Sequence, residues 1–377
     1  MWTPRTPRSL CLAAAGLALI AFVHSAPAQQ PETFSGSLEV RERETVVELP
    51  DNVAGKRLAP KDFRVLVDGQ PREVTRVEPA AGGWTVVLYF DEVLARPGTT
   101  FYSGLALANR ARDLARLGSV EIAAAGPDPR VVLPATREAR RIKLALMDLS
   151  AAARVERDRS TARPKPTEPS MAQIGRQLEK LLAFLAARHP AGPRTVFLVA
   201  DGPDLSPEQT ALIENENVPG TKGTPAFVFH QAARRLAASG WVTIPVPLRQ
   251  EGLGVELSAQ SDAERFRQAA APSDHQNGVP PVLPGRPPKA TALSYSGVAD
   301  LLVEPKTAAL RALARPTAGT VIGFEPQLDA VLGALPRRWR LWFTEPEAAA
   351  DGRLHRIAVT LPRMKKEARA PEWLPSP

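Results

Sequence analysis

The sequence predicts an α/β fold: a doubly wound, mostly parallel sheet, with a small β module before it and a β-hairpin after it. Three observations predict this. The apolar runs Trp84–Phe90 and Thr195–Ala200 are unbroken, as in strands covered on both faces. Segments of helical period separate such runs. Two of those segments open with serine and, three residues later, glutamine, at Ser170/Gln173 and Ser206/Gln209, which is the capping-box signature of a helix start. Strands alternating with helices imply βαβ units and therefore parallel pairing.

The elements follow in chain order. Arg5 and Arg8 precede the apolar run Leu10–Val23, and small residues lead to Ala28, so residues 1–28 read as a cleaved export signal. The run is too short for a comfortable membrane span, and the rest of the chain offers none. Residues 29–80 read as a β-rich module. Ser37–Arg43 alternates, Phe63, Val65 and Val67 share one strand face, and Asp68-Gly69 is a hairpin turn. Residues 81–250 carry the first part of the α/β domain. Its strands are Trp84–Phe90, Val120–Ala124, an edge strand at Val131–Leu133, Thr195–Ala200 and Trp241–Val246. Its helices are Phe101–Leu117, Thr136–Ala153, one capped by Ser170, one starting at Ser206-Pro207, and Phe227–Ser239, closed by Gly240. Residues 155–169 read as a polar loop.

Residues 251–295 form a proline-rich insertion without regular structure. The domain resumes over 296–336 with helices at Pro305–Ala314 and Glu325–Leu335 and a strand at Thr320–Ile322. Residues 337–362 read as a β-hairpin, Arg338–Phe343 with Leu354–Leu361, turning at Asp351-Gly352; residues 363–377 read as a tail.

Composition narrows the function. The net charge is +8, but basic residues are spread among 40 acids and do not cluster with aromatics, so a nucleic-acid partner is not expected. The one cysteine, Cys11, lies in the leader, which excludes a disulfide framework, a thiolate zinc site and a cysteine nucleophile from the mature chain. No His-Glu-x-x-His, Gly-x-Ser-x-Gly or phosphate-cradling glycine loop occurs. His230, on a helix beside Phe227 and Phe229, reads as structural.

Four passages resemble the von Willebrand factor A domain, and more narrowly the VWFA-related proteins of acidobacterial genomes. They are Asp62-Phe63-Arg64-Val65-Leu66-Val67-Asp68-Gly69-Gln70; Val86–Asp91; Val196–Asp201 with Gly202-Pro203-Asp204; and Arg338–Pro346 with Asp351–His355. The resemblance spans residues 36–362 and implies a Rossmann-like sheet with a metal-dependent adhesion site. Such a site places Asp-x-Ser-x-Ser after the first strand, then a threonine and an aspartate from separate loops, oxygen ligands suited to Mg²⁺. Here the loop reads Asp91-Glu92-Val93-Leu94-Ala95, so both serines are replaced. Asp201 matches the second aspartate. The threonine has three candidates by order, Thr136, Ser160 and Thr161, with no context to separate them.

Two readings of the carboxylates stand side by side. Asp91 and Asp201 hold a divalent cation, with Glu92 or Asp204 in support, or both cap turns and helices without metal. Trp339 and Trp342 either pack the hairpin or form an exposed patch that anchors a partner. The leading expectation is an exported, periplasmic or secreted, non-catalytic protein that recognises a protein partner in the cell envelope with a degenerate cation site and no cofactor. The alternatives are a metal-dependent (Mg or Ca) binder using Asp91 and Asp201, and an envelope hydrolase with a carboxylate site.

Overall fold

The computed structural model describes residues 40–50, 53, 57–160, 169–188, 191–203, 205–215, 223–248, 307–346 and 351–376. The leader, the 251–295 insertion and Asp204 lie outside them, and so does Thr161.

The described residues form a mixed α/β structure with three sheets. The largest contains β5 (Trp84–Asp91), β6 (Gly118–Ala125), β7 (Pro129–Thr136), β8 (Arg194–Val199) and β9 (Trp241–Pro245). Their order is β7-β6-β5-β8-β9. β5 pairs in parallel with β6 and β8, and β8 with β9; β7 runs antiparallel at the edge. Counted within this sheet, the order is 3-2-1-4-5. The chain winds outward from β5 on one side, then returns and winds outward on the other, so the switch point falls between β5 and β8.

Both faces of this sheet are covered because every residue of β5 before Asp91, except the half-buried Thr85, is apolar and buried. Trp84, Val86, Leu88 and Phe90 pack on one side with Leu107, Leu114, Ile142 and Leu146. Those partners come from α1 (Pro97–Asn109), α2 (Ala111–Leu117) and α3 (Ala139–Ser160). Val87 and Tyr89 face the other side, with Ile174, Leu178 and Leu181 of α4 (Met171–Ala186), then Phe229 and Leu236 of α6 (Pro225–Ala238). A helix at 307–314, α7, completes that layer with Ala309 and Leu313. The short α5 (Pro207–Glu214) precedes α6, and α8 (Glu325–Ala334) adds Leu328 to the first face. α1 and α3 cross closely at Gly104, where a Cβ would meet Ser150 Oγ at 2.4 Å.

Both capping boxes form: Ser170 accepts from the Gln173 N–H and Ser206 from that of Gln209, and each glutamine side chain reaches back to its serine N–H. Two helical segments depart most from the sequence expectation. The segment 101–117 is two helices broken at Arg110. The helix after β7 starts at Ala139 and runs to Ser160, through the first part of the expected loop. Arg154, Asp158, Glu156 and Arg159 form i,i+3 and i,i+4 pairs there that extend the helix without apolar periodicity.

The strand expected at Thr320–Ile322 is absent. Ile322 donates one bond to Pro245, but Thr317 supplies its hydroxyl to the Thr243 N–H in place of a backbone partner. A side chain substitutes for the ladder, so no sixth strand registers.

The expected hairpin is also absent. β10 (Trp339–Pro346) pairs antiparallel with β1 (Val40–Val47) and β4 (Val74–Pro79). β11 (Leu354–Leu361) pairs with β2 (Arg64–Val67), which turns through Asp68 (φ 49°) and Gly69 (φ 78°) into β3 (Gln70–Arg72). β10 and β11 are each central in a different sheet, and the apolar side chains of the two sheets share one cluster: Val47, Phe63, Val65, Val67, Leu341, Phe343, Ile357, Val359 and Leu361. Alternation shows which residues share a face; it does not show whether successive strands pair edge to edge or lie in separate sheets. The expected tail is structured as well. β12 (Lys366–Ala368) and β13 (Trp373–Pro375) both pair with β11, and Glu48 and Arg369 exchange backbone hydrogen bonds.

Candidate functional site

The switch point places the two sequence-derived carboxylates at the C-terminal ends of adjacent strands, Asp91 ending β5 and Asp201 two residues beyond β8. Open α/β sheets take ligands in this crevice.

Asp91 is 1% exposed. Its Oδ1 accepts from the N–H groups of Val93 (3.0 Å) and Leu94 (2.8 Å), and Ala95 N–H bonds its carbonyl. The carboxylate therefore caps its own turn. Burial raises its pKa to about 6, against the opposing pull of those two N–H groups and of Lys180. Its Oδ2 accepts no hydrogen bond among the described residues. Tyr89, two residues earlier on the same strand face, has a buried hydroxyl without a hydrogen-bond partner among the described residues, and its own pKa is raised by burial and then by Asp91.

Asp201 is tied differently. Oδ2 accepts from the Arg96 N–H at 2.7 Å, and the Thr99 hydroxyl lies 3.0 and 2.9 Å from the two oxygens. Both donors sit at the start of α1, so Asp201 holds the N-terminus of that helix, where a negative charge is favoured. Its own N–H bonds the Leu94 carbonyl at 3.2 Å. Thr99 is 1% exposed, and Ser103, one turn on, is fully buried. Ser103 donates to the Val246 carbonyl (2.7 Å) and accepts from Leu248 N–H (3.2 Å). α1 thus carries two hydroxyls, i and i+4, that fasten the exits of β8 and β9. Sequence reasoning missed both. The signal was there: Thr99 and Ser103 interrupt an otherwise apolar face at helical spacing.

Among the described weaker candidates, Glu92 and Thr136 have other partners. Glu92 is exposed and pairs with Arg130 at 3.1 Å. Thr136 ends β7 and bonds the Glu138 N–H, which starts the next helix. Of the two residues in the Asp91 loop that replace the expected serines, Val93 is half-buried with its N–H on Asp91, and Ala95 is buried in the core. No group of three acidic, histidine or cysteine side chains able to hold a metal ion occurs among the described residues.

Trp339 and Trp342 are not an exposed patch. Trp342 is 6% exposed, with Arg76 and Arg340 stacked over its ring at 3.8 and 4.5 Å. Trp339 packs against the cluster between the two small sheets. His230 bonds the Ile213 carbonyl at 2.7 Å, a structural contact between α5 and α6.

No helix among the described residues is long and apolar enough to cross a membrane. No family model matches the sequence, and no curated protein matches it. Solved structures give loose likenesses. A conserved hypothetical protein BatB from Bacteroides thetaiotaomicron is 14% identical, covering 44% of this chain and 66% of its own, with a TM-score of 0.26. An aerotolerance-related membrane protein from Bacteroides fragilis is 12% identical, covering 67% and 98%, at 0.32. The manganese-loaded TRAP protein of Plasmodium vivax is 9% identical, covering 46% and 60%, at 0.26. The chain thus spans just under two thirds of the BatB structure and three fifths of the TRAP structure.

Proposed function

We propose that this chain is a non-catalytic recognition module of von Willebrand factor A type, exported to the envelope or beyond, that binds a protein partner without a metal bridge. The observation that carries this reading is the engagement of Asp201. Its oxygens are occupied by the Thr99 hydroxyl and the Arg96 N–H, and Asp91 uses Oδ1 on its own turn. Carboxylates used in this way position loops. Val93 and Ala95 stand where the serine ligands of an adhesion site would be, which supports the degenerate site. The burial of the Thr99 hydroxyl beside Asp201 supports the non-catalytic reading. Export rests on the pattern of residues 1–28 alone.

One observation favours the metal-dependent alternative: Asp91 Oδ2 has no hydrogen bond at the switch point. Thermal unfolding in EDTA, then in excess Mg²⁺, Mn²⁺ or Ca²⁺, separates the two. The metal-free reading expects an unchanged midpoint and capture of a protein partner from envelope extract in EDTA. A cation at about 100 times its dissociation constant adds roughly 2.7 kcal/mol, a rise of several degrees. Such a rise, lost in Asp91→Ala and in Asp201→Ala, overturns the metal-free mechanism. Turnover of an envelope polymer that Asp201→Asn abolishes without unfolding overturns the non-catalytic reading.

A further inference from the structure

The outer face of α3 breaks the pattern of the helix layer. Ile142 and Leu146 are buried against the sheet, with Leu149 packed beside them. On the opposite side of the same helix, Leu144 is 50% exposed, Met147 44% and Val155 50%. The spacing 144, 147, 151, 155, with exposed Ala151 in the gap, makes a straight stripe about 16 Å long at 1.5 Å per residue. Leu105 on α1, 39% exposed, follows the glycine that packs on Leu146 and Ser150, so it extends the apolar surface towards α1. Seven large hydrophobics are exposed among the described residues, and four of them lie on this face. That concentration separates the face from scattered exposure, which needs no explanation.

Charge indicates what covers it. Arg137, Arg140, Arg141 and Lys143 gather where α3 begins. Only Arg141 has a salt-bridge partner among the described residues, Glu138 at 3.5 Å. Cations in a first helical turn oppose the dipole, each by roughly 0.3–1 kcal/mol. Glu138 offsets Arg141 alone; among the described residues no carboxylate pairs with Arg137, Arg140 or Lys143. An apolar stripe beside unpaired cations suits a partner that is apolar along one line and acidic beside it. A second copy of this chain would set like charges face to face. Asp158 is already paired with Arg154 and Arg157, but exposed Asp148 borders the stripe, where an anionic bilayer would repel it; a partner helix can set a polar residue opposite Asp148 while its acids meet the cations.

We propose that the α1–α3 face docks an acidic amphipathic helix of a partner protein. The proposal rests on the recognition reading above and names the surface that performs it, away from the Asp91/Asp201 crevice.

The test uses the full chain and two designed, fluorescent helical peptides of about 18 residues. Both carry the same leucine stripe; glutamates flank it in one and lysines in the other. Anisotropy titration is expected to show the glutamate peptide binding at least about tenfold more tightly, and more weakly as salt rises. A Leu144→Glu/Met147→Glu double variant should lose at least about tenfold in affinity while its thermal midpoint stays unchanged, since both positions are exposed. Equal binding of both peptides, no binding of the glutamate peptide, or equal binding by the double variant overturns the proposal. So does binding to phosphatidylglycerol vesicles in place of the peptide, or a dimer that the double variant dissociates. If none of these probes binds and cations leave the midpoint unchanged, the docking surface fails and the metal-free reading stands. If the glutamate peptide binds only with Mg²⁺ and is lost in Asp201→Asn, the metal-free reading fails too.

Discussion

The large, mostly parallel sheet and the two smaller antiparallel sheets, one three-stranded and one of five short strands, solve the same problem, joining strands into a core, by different means. The large sheet is built from consecutive βα units and from apolar side chains that fill both faces. The smaller sheets join strands from opposite ends of the chain, β1 to β10 and β2 to β11, and set charges among the apolar contacts. Arg43 lies 2.9 Å from the fully buried Glu345, Arg340 pairs with Glu44 at 2.6 Å, and Arg338 with Glu48 at 2.6 Å. Arg338 is 5% exposed, and burial lowers its pKa to about 10. The difference teaches where specificity comes from. Neighbouring βα units find each other by proximity along the chain; strands some 300 residues apart need particular partners as well as greasy faces. Charge pairs supply that selectivity, although a buried pair adds little net stability.

Four measurements sharpen or break this contrast. The largest effect belongs to the large sheet. Phe90→Ala removes a fully buried ring from β5 and should cost about 3–5 kcal/mol in denaturant unfolding; a loss below about 1 kcal/mol would mean this core is not the dominant one. Next, Glu48→Ala leaves Arg338 buried without its counter-ion and should cost about 3 kcal/mol. Adding Arg338→Met should recover most of that loss. If the double variant is no better than the single one, the pair contributes through more than its charge.

The third and fourth effects depend on pH and occupy separate windows. Asp91 has its pKa raised from 3.8 to about 6, so between those values the folded state holds a proton that the unfolded chain has released. Stability therefore falls as pH rises from about 4 to 6, by a contribution on the order of 1–3 kcal/mol. Asp91→Asn should flatten that slope. In the smaller sheets, His355 bonds Asp68 at 2.7 Å through Nδ1 and approaches Asp351 at 3.2 Å through Nε2. The hydrogen bond to Asp68, then the nearby Asp351 charge, raise the histidine pKa against a small loss of hydration. This stabilisation is complete below the unfolded value of about 6.5 and is lost as pH rises through the folded value. The two aspartates, both lowered, contribute above their unfolded values and lose that contribution in acid. His355→Asn should remove the smallest of the four effects, a decline in midpoint above neutral pH. A decline that persists in the variant would place its source elsewhere.

Local features were legible in the sequence where local physics decides them. The two capping boxes, the Asp68-Gly69 turn and the apolar runs of β5 and β8 each follow from residues within a few positions of one another. The position of Asp91 and Asp201 at strand ends was legible too, because apolar runs end where a charge begins. Their engagement was not. Asp201 bonds residues 105 and 102 positions earlier, and nothing in its own neighbourhood announces Thr99. The burial of Trp342 under two arginines was likewise invisible, since Arg76 arrives from another strand.

By itself, then, the sequence determined the strands of the large sheet, most of the helices around it, which of their faces are apolar and the Asp68-Gly69 turn. Those properties depend on period, capping and backbone preference, all short-range. Only the tertiary structure decided that β10 and β11 belong to different sheets, that the C-terminal residues are strands and that α3 keeps a second apolar stripe without a partner. Each of those depends on which distant surfaces meet, and an alternating or helical pattern is the same whichever surface covers it.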